Sequence, residues 1–242
     1  MTIGNLLFAY NWSDAGAGST SGVDKSGNGR DFAFTGTTGR TAAGSGYTYG
    51  GARPNAKGLI QGTTEIQVGP AVAGLNPTSW TLIFWAKAAM VAPSWMWEWY
   101  WLANDTGARG LLFLSSVLRF RLKNSSNTAF DGGSLTPDGT NFHCWAVTHD
   151  GTTLRSYRDT AGTMAEIGSG VAAAFTPATA TAIRVFDGTG SSAVVGDTRC
   201  YDSVLTLAEL QTMSATPVDD PVTTTGPPPY NRKRRMQPLI VR

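Results

Sequence analysis

Residues 141–159, NFHCWAVTHDGTTLRSYRD, decide the fold. They read as two strands meeting at Asp150-Gly151. On the first, His143 to His149, Trp145 and Val147 alternate with Cys144, Ala146 and Thr148. On the second, Thr153 to Asp159, Leu154 and Tyr157 fall on opposite faces. An Asp-Gly pair tolerates the positive φ angles of a tight turn, and apolar alternation on both sides sets the register. The stretch predicts an antiparallel hairpin.

Strand-like runs recur outward from it. Toward the N-terminus they are Leu6 to Trp12, Asp31 to Thr35, Thr64 to Val68, Trp80 to Lys87, Trp95 to Leu102, Gly110 to Leu114 and Val117 to Lys123. Toward the C-terminus they are Ile183 to Phe186 and Val194 to Tyr201. Asp24 to Gly29 reads as a turn and residues 36–51 as a polar, Gly-rich loop. Many short strands at this spacing predict a sandwich or barrel. One helix is expected, Thr206 to Met213, with Thr206 capping it and Glu209 three residues on as in a capping box.

Composition agrees. The chain has 242 residues, 29 Gly and 15% charged residues, against a usual ~25%. Low charge suits strands and turns better than amphipathic helices. Cys144 and Cys200, the only cysteines, each lie among apolar neighbours and are expected to be buried free thiols. No window approaches the ~18 apolar residues of a membrane span. The opening MTIGNLLFAYNWSD lacks the basic segment and long apolar run of a secretion signal, so synthesis in a host cytoplasm is expected. After Pro217 the character changes. Residues 218–242 hold five prolines, a basic knot and an apolar end, and are expected to form an extended arm reaching at most roughly 90 Å. The expected division is therefore a body, 1–217, and an arm, 218–242.

Four blocks resemble the laminin-G-like, concanavalin A-like jelly-roll family. DKSGNG (Asp24 to Gly29) is similar to its D-x-S-G-N-G turn. TSWTLIFWAK (Thr78 to Lys87) is similar to the strand marked by a Trp, here Trp85. Phe142 to Gly151 resembles its W-H-H-V-A-V-T-Y-D-G hairpin, with Phe142 for the tryptophan and Trp145 for a valine. DTRCYDSVLTLAEL (Asp197 to Leu210) is similar to its closing block. The match spans about residues 6 to 214. Asp159 is followed by Thr160 where the family often has Asp-Gly, which loosens the turn assignment there. The resemblance implies an all-β fold of two stacked antiparallel sheets with one short C-terminal helix. It implies no activity, because function lives in the loops and faces such a scaffold carries.

Ser94 to Trp101, SWMWEWYW, sets Trp95, Trp97, Trp99 and Trp101 at alternate positions, indoles roughly 6–7 Å apart. Such a row either lines the core or stacks on sugar rings. Arg119, Arg121 and Lys123 alternate with Leu118, Phe120 and Leu122, giving a half-buried strand whose basic stripe is a solvated face or an anion-binding surface. Some members of the family hold calcium through loop oxygens, and Asp24, Asn28 and Asp187 are the candidates here, although a structural turn is the simpler role for Asp24. His143 and His149 lie roughly 20 Å apart along a strand and cannot share one ion. The four Glu, at 65, 98, 166 and 209, lack acidic neighbours at i+2 or i+3, so the paired carboxylates of glycosidases on such scaffolds are missing and Glu98 would act alone. No catalysis and no required cofactor is expected.

In the arm, Tyr230, Arg232, Lys233, Arg234, Arg235, Leu239, Ile240 and Val241 are the expected assembly residues, with the apolar end able to add a strand to a neighbour. The expectation is a non-catalytic virion subunit, a phage head decoration or minor tail protein. Its partners would be capsid or tail subunits and further copies of itself, and its jelly-roll surface would meet host glycan. Membrane and nucleic-acid partners are not expected. A free lectin is the first alternative and a glycan hydrolase the second.

Overall fold

The computed structural model describes residues 5–12, 21–34, 42–44, 57–60, 66–69, 77–87, 94–100, 108–114, 117–123, 128–136, 141–160, 162–173, 182–187, 194–216 and 218. In the strands within 32–69, 94–118 and 182–187 it describes the backbone path. The first strands are β1 (Leu6–Tyr10), β2 (Ser21–Gly22), β3 (Phe32–Phe34), β4 (Ala42–Gly44), β5 (Lys57–Ile60) and β6 (Ile66–Gly69). Next come β7 (Trp80–Lys87), β8 (Ser94–Tyr100), β9 (Ala108–Leu114), β10 (Val117–Lys123), β11 (Ala129–Leu135) and β12 (His143–His149). The last are β13 (Thr153–Thr160), β14 (Thr163–Glu166), β15 (Val171–Ala172), β16 (Ala182–Asp187) and β17 (Val194–Tyr201), followed by α1 (Leu207–Ala215).

They form two antiparallel sheets. One runs β14-β13-β12-β7-β17-β5-β4, with β1 on β17 and β15 on β13; the other runs β11-β10-β9-β8-β16-β6-β3-β2. The expected two-sheet β-sandwich is therefore the fold. Phe84 of the first sheet meets Phe120 of the second edge-on, with ring centroids 6.1 Å apart. Leu82, Trp145 and Val147 are buried beside Phe84 in the cross-strand register.

The centre of the nine-stranded sheet, at β7 and β12, is buried on both faces. On its outer side Ile83, Trp85, Cys144, Ala146, Tyr157 and Tyr201 form an apolar layer with Met164, Leu205 and Leu210 of α1. This is why β7 and β12 read as nearly continuous apolar runs, the pattern of strands covered on both sides. The helix is held at each end. Glu209 N donates to Thr206 Oγ1 and Thr206 N to Glu209 Oε2, completing the expected capping box. At the other end the buried Arg199 guanidinium donates to Met213 O at 2.7 Å and to Thr216 O, satisfying carbonyls the helix cannot and placing a cation where its dipole is negative. Both cysteines are buried thiols outside any disulfide. Cys144 belongs to the layer under α1, whereas Cys200 pairs with Leu82 on the inter-sheet side, so they cannot meet.

The hairpin forms as expected, with five cross-strand pairs from Trp145↔Arg158 to His149↔Leu154. Gly151 takes φ +98°, which only glycine adopts easily. Asp150 Oδ1 accepts from Thr152 N, Thr152 Oγ1 and Thr153 N at 2.7–2.8 Å. Those bonds, led by the Thr152 backbone N–H, hold its carboxyl below the usual range. The fully buried His149 ring ties the turn down, with Nε2 2.9 Å from Ala173 O and Nδ1 accepting from Gly151 N.

Several features depart from the sequence reading. Residues 36–51 contain β4, paired to β5; AAG has no intrinsic strand preference and forms one only because β5 is beside it. β11, AFDGGSL, is not among the expected strands but is an edge strand. Its two glycines answer a close approach, since a Cβ on Gly133 would lie 1.9 Å from Ile167 O. β1 stops at Tyr10, and Trp12 turns to φ +56°, an unusual value for a bulky residue. Its indole donates to Gly196 O at 2.8 Å, at a bulge where β17 slips register between Val195 and Thr198. The same bulge turns Asp197 toward Val218, whose N–H donates to Asp197 Oδ2 at 2.6 Å while its carbonyl accepts from Asn11 Nδ2. Val218 is 4% exposed. It packs with the body, although the expected division falls before it; residues 219–242 lie outside the described residues.

Candidate ligand-binding face

α1 packs over the outer face of the nine-stranded sheet. Among the described residues, no helix or strand lies over the outer face of the other sheet, since every strand belongs to one sheet or the other. On β10 of that sheet, Phe120 and Leu122 are buried inward. Alternation then turns Arg119 and Arg121 outward.

The two arginines are not a free stripe. They converge on Asp131 of β11. Arg121 grips it two-handed, Nε to Oδ1 at 2.6 Å and Nη2 to Oδ2 at 2.8 Å; Arg119 Nη1 reaches Oδ2 at 2.9 Å. The side chains keep 20–27% of their exposure. A slip in register puts the carboxylate between them. Arg121 pairs with Asp131 but Arg119 with Ser134, so Gly132 and Gly133 bulge out and shift Asp131 along the ladder. Burial pushes the Asp131 carboxyl up, but the hydrogen bonds from Arg121 and Arg119 outweigh it and the net shift is downward. The Asp131 bond raises Arg121. Arg119 stays under-used, because its buried Nε has no hydrogen-bond partner.

The backbone register extends this line across the sheet. Arg121 lies opposite Gly110 of β9, Gly110 opposite Glu98 of β8, Glu98 opposite Arg184 of β16 and Arg184 opposite Gln67 of β6. The next line runs Phe120, Leu111, Trp97, Val185. Trp97 thus occupies a register position in the row of the buried Phe120, and Trp99, opposite Arg109, occupies one in the row of the buried Leu122. At Trp95 the ladder to β9 slips by one residue, while the ladder to β16 does not. The side chains of Trp95, Trp97 and Trp99 lie outside the described residues, as does the whole of Trp101. Glu98 stands between Gly110 and Arg184, so no second carboxylate sits opposite it in the ladder.

Two of the three calcium candidates are engaged in structural hydrogen bonds. Asp24 is buried, with Oδ1 accepting from Ala9 N and Ser26 N, and Oδ2 from Ser26 Oγ and Arg30 N. Asn28 turns its amide NH2 to the carbonyls of Leu6 and Leu7, which sets its donors, not its acceptor, to work. The block is a knot fastening the 24–31 turn to β1. Asp187 is described by its pairing with Trp95; its side chain lies outside the described residues. No cluster of three His, Cys, Asp or Glu is placed to hold a metal among the described residues, and no helix there is long and apolar enough to cross a membrane. The arm candidates from Tyr230 to Val241 also lie outside them.

This geometry defines a β-sandwich with one sheet face sealed by a helix and the other carrying an ionic cluster. No protein-family model matches the chain, and no curated protein does. Solved structures match its fold. Domain 4 of AbnA, a GH43 extracellular arabinanase from Geobacillus stearothermophilus, in complex with arabinotriose, aligns at TM-score 0.64 and 15% identity, covering 88% of this chain and all of that one. The binding domain of Paraclostridial Mosquitocidal Protein 1 aligns at 0.63 and 14%, covering 87% of this chain and 52% of that one. The binding domain of botulinum neurotoxin DC in complex with SialylT aligns at 0.60 and 11%, covering 87% and 50%. The chain thus spans about half the length of the toxin domains. At these identities the likeness is one of fold.

Proposed function

We propose that the chain is a non-catalytic carbohydrate-recognition module whose contact surface is the outer face of the eight-stranded sheet. The observation that carries this reading is the Arg119–Arg121–Asp131 cluster, held rigid on a sheet face that no described element covers. Preset donors and acceptors on a flat β-surface suit hydroxyl-rich ligands, which are bound by hydrogen bonds that need no rearrangement. Fold neighbours that are binding domains, one of them in complex with arabinotriose, support it. Binding of the chain to a glycan array tests it. R119A/R121A is expected to lose the signal while remaining folded, its melting lowered by the ion pairs it removes; an unaltered signal would move the site elsewhere.

In the finer reading the module is a virion subunit, a phage head decoration or minor tail protein made in the host cytoplasm, with host-cell glycan as its target. The proline-rich, basic composition of 219–242, which cannot bury a core of its own, supports an arm that is ordered by neighbouring subunits. Deleting 219–242 should abolish incorporation into particles and leave glycan binding intact. A free lectin would show no particle association with or without the arm.

A further inference from the structure

We infer that this face takes a neutral, linear oligosaccharide laid across the strands, in preference to a single sugar or a polyanion. The inference rests on the carbohydrate-recognition reading and adds the ligand's class and direction. Its basis is the line Asp131, Arg121, Gly110, Glu98, Arg184, Gln67, one residue from each of six adjacent strands. Five strand intervals span roughly 24 Å, far longer than one sugar ring.

The charges along the line alternate and cancel: two arginines against Asp131 and Glu98. Adding Arg119 leaves a single net positive charge. A polyanion would find its counter-charges already taken, most plainly at Asp131, where two guanidiniums are engaged. Uncharged hydroxyls, which both donate and accept, match a line of alternating donors and acceptors.

The centre of the line is Gly110, which has no side chain between Arg121 and Glu98. It lowers the surface to the backbone there, so a ring can lie close to the sheet. Two residues along β8 from Glu98, and so at the same parity, is Tyr100, with Ala108 and Ala182 directly opposite on its two neighbours. That register position, an aromatic with a small residue opposite it on each side, suits a stacking platform.

The test is calorimetric titration of the full chain with neutral linear oligosaccharides of the gluco, xylo, manno, galacto and arabino series, each from one to six sugars. Polygalacturonate and a sulfated glycan are run beside them. At least one neutral series should tighten about tenfold or more from two sugars to six, which is about 1.4 kcal/mol. Its affinity should change less than about threefold between roughly 0.05 and 0.5 M salt, because little net charge is screened. Y100A and G110V should each weaken the hexamer about tenfold, and R155A, on the far sheet, should not. E98Q gives an independent reading where G110V fails to fold. A monosaccharide that binds as tightly as the hexamer, a steeply salt-dependent polyanion, or a bound glycan indifferent to Y100A, G110V and E98Q would overturn the inference and leave carbohydrate recognition standing. No binding in any series would overturn both.

Discussion

Among the described residues, Asp131 gathers the ionic contacts of the outer face of the eight-stranded sheet. Three charge-assisted hydrogen bonds end on it, and without it two part-buried guanidiniums face each other. D131N should cost about 1–2 kcal/mol, the range for a partly exposed charged bond discounted for solvent screening. The pH dependence follows from its lowered folded pKa. The contribution is complete above about pH 4, the usual unfolded value, and fades as pH falls through the lower folded one. Thermal melts of wild type and D131N should therefore differ at pH 7 and converge below about pH 4; a gap that stays constant to low pH would exclude the ionised pair as its source. The arginines were legible in the sequence because they alternate with Leu118, Phe120 and Leu122. Their partner was not, because Asp131 sits in FDGGS, which has the composition of a turn, and only a bulge in a strand brings it to them.

At the level of elements, the sequence revealed those whose signal is local. β7, β10 and β17 run over the residues expected, and α1 starts at the expected cap. β2, β4, β5, β11, β14 and β15 escaped; they are short or rich in glycine and alanine, and strand pairing rather than local preference orders them. This difference predicts unequal mutational costs. T206A removes one exposed cap and should cost about 1 kcal/mol. G133A forces a methyl into the Ile167 carbonyl and should cost about 3 kcal/mol or more, although both residues lie outside any expected site. Chemical denaturation of the two variants checks the ranking; equal midpoints would mean that β11 does not pass against Ile167 as described.

For the whole molecule, paired patterns of period two were enough to give two stacked sheets, since each apolar face must find another. Which face the helix covers was not legible, because it depends on where its nine residues lie down. Nor was the end of the body. Composition alone set the break before Val218, where proline begins to recur, yet Val218 is bonded to Asp197 and Asn11. A chain ending at 218 should melt like the full one, whereas a chain ending at 216 should lose about 2–3 kcal/mol through a buried valine and two hydrogen bonds. Equal melting of both truncations would show that the contact is dispensable.

The Val218 clasp also fixes geography. The carboxylate that receives its N–H sits in the β17 bulge and the amide that grips its carbonyl follows β1, so whatever continues past 218 departs from one set spot on the rim. A fluorophore, tether or fused enzyme appended there would start from a fixed berth instead of a frayed end. Cantilever probes and immobilised sensors could present every copy of the domain in the same orientation.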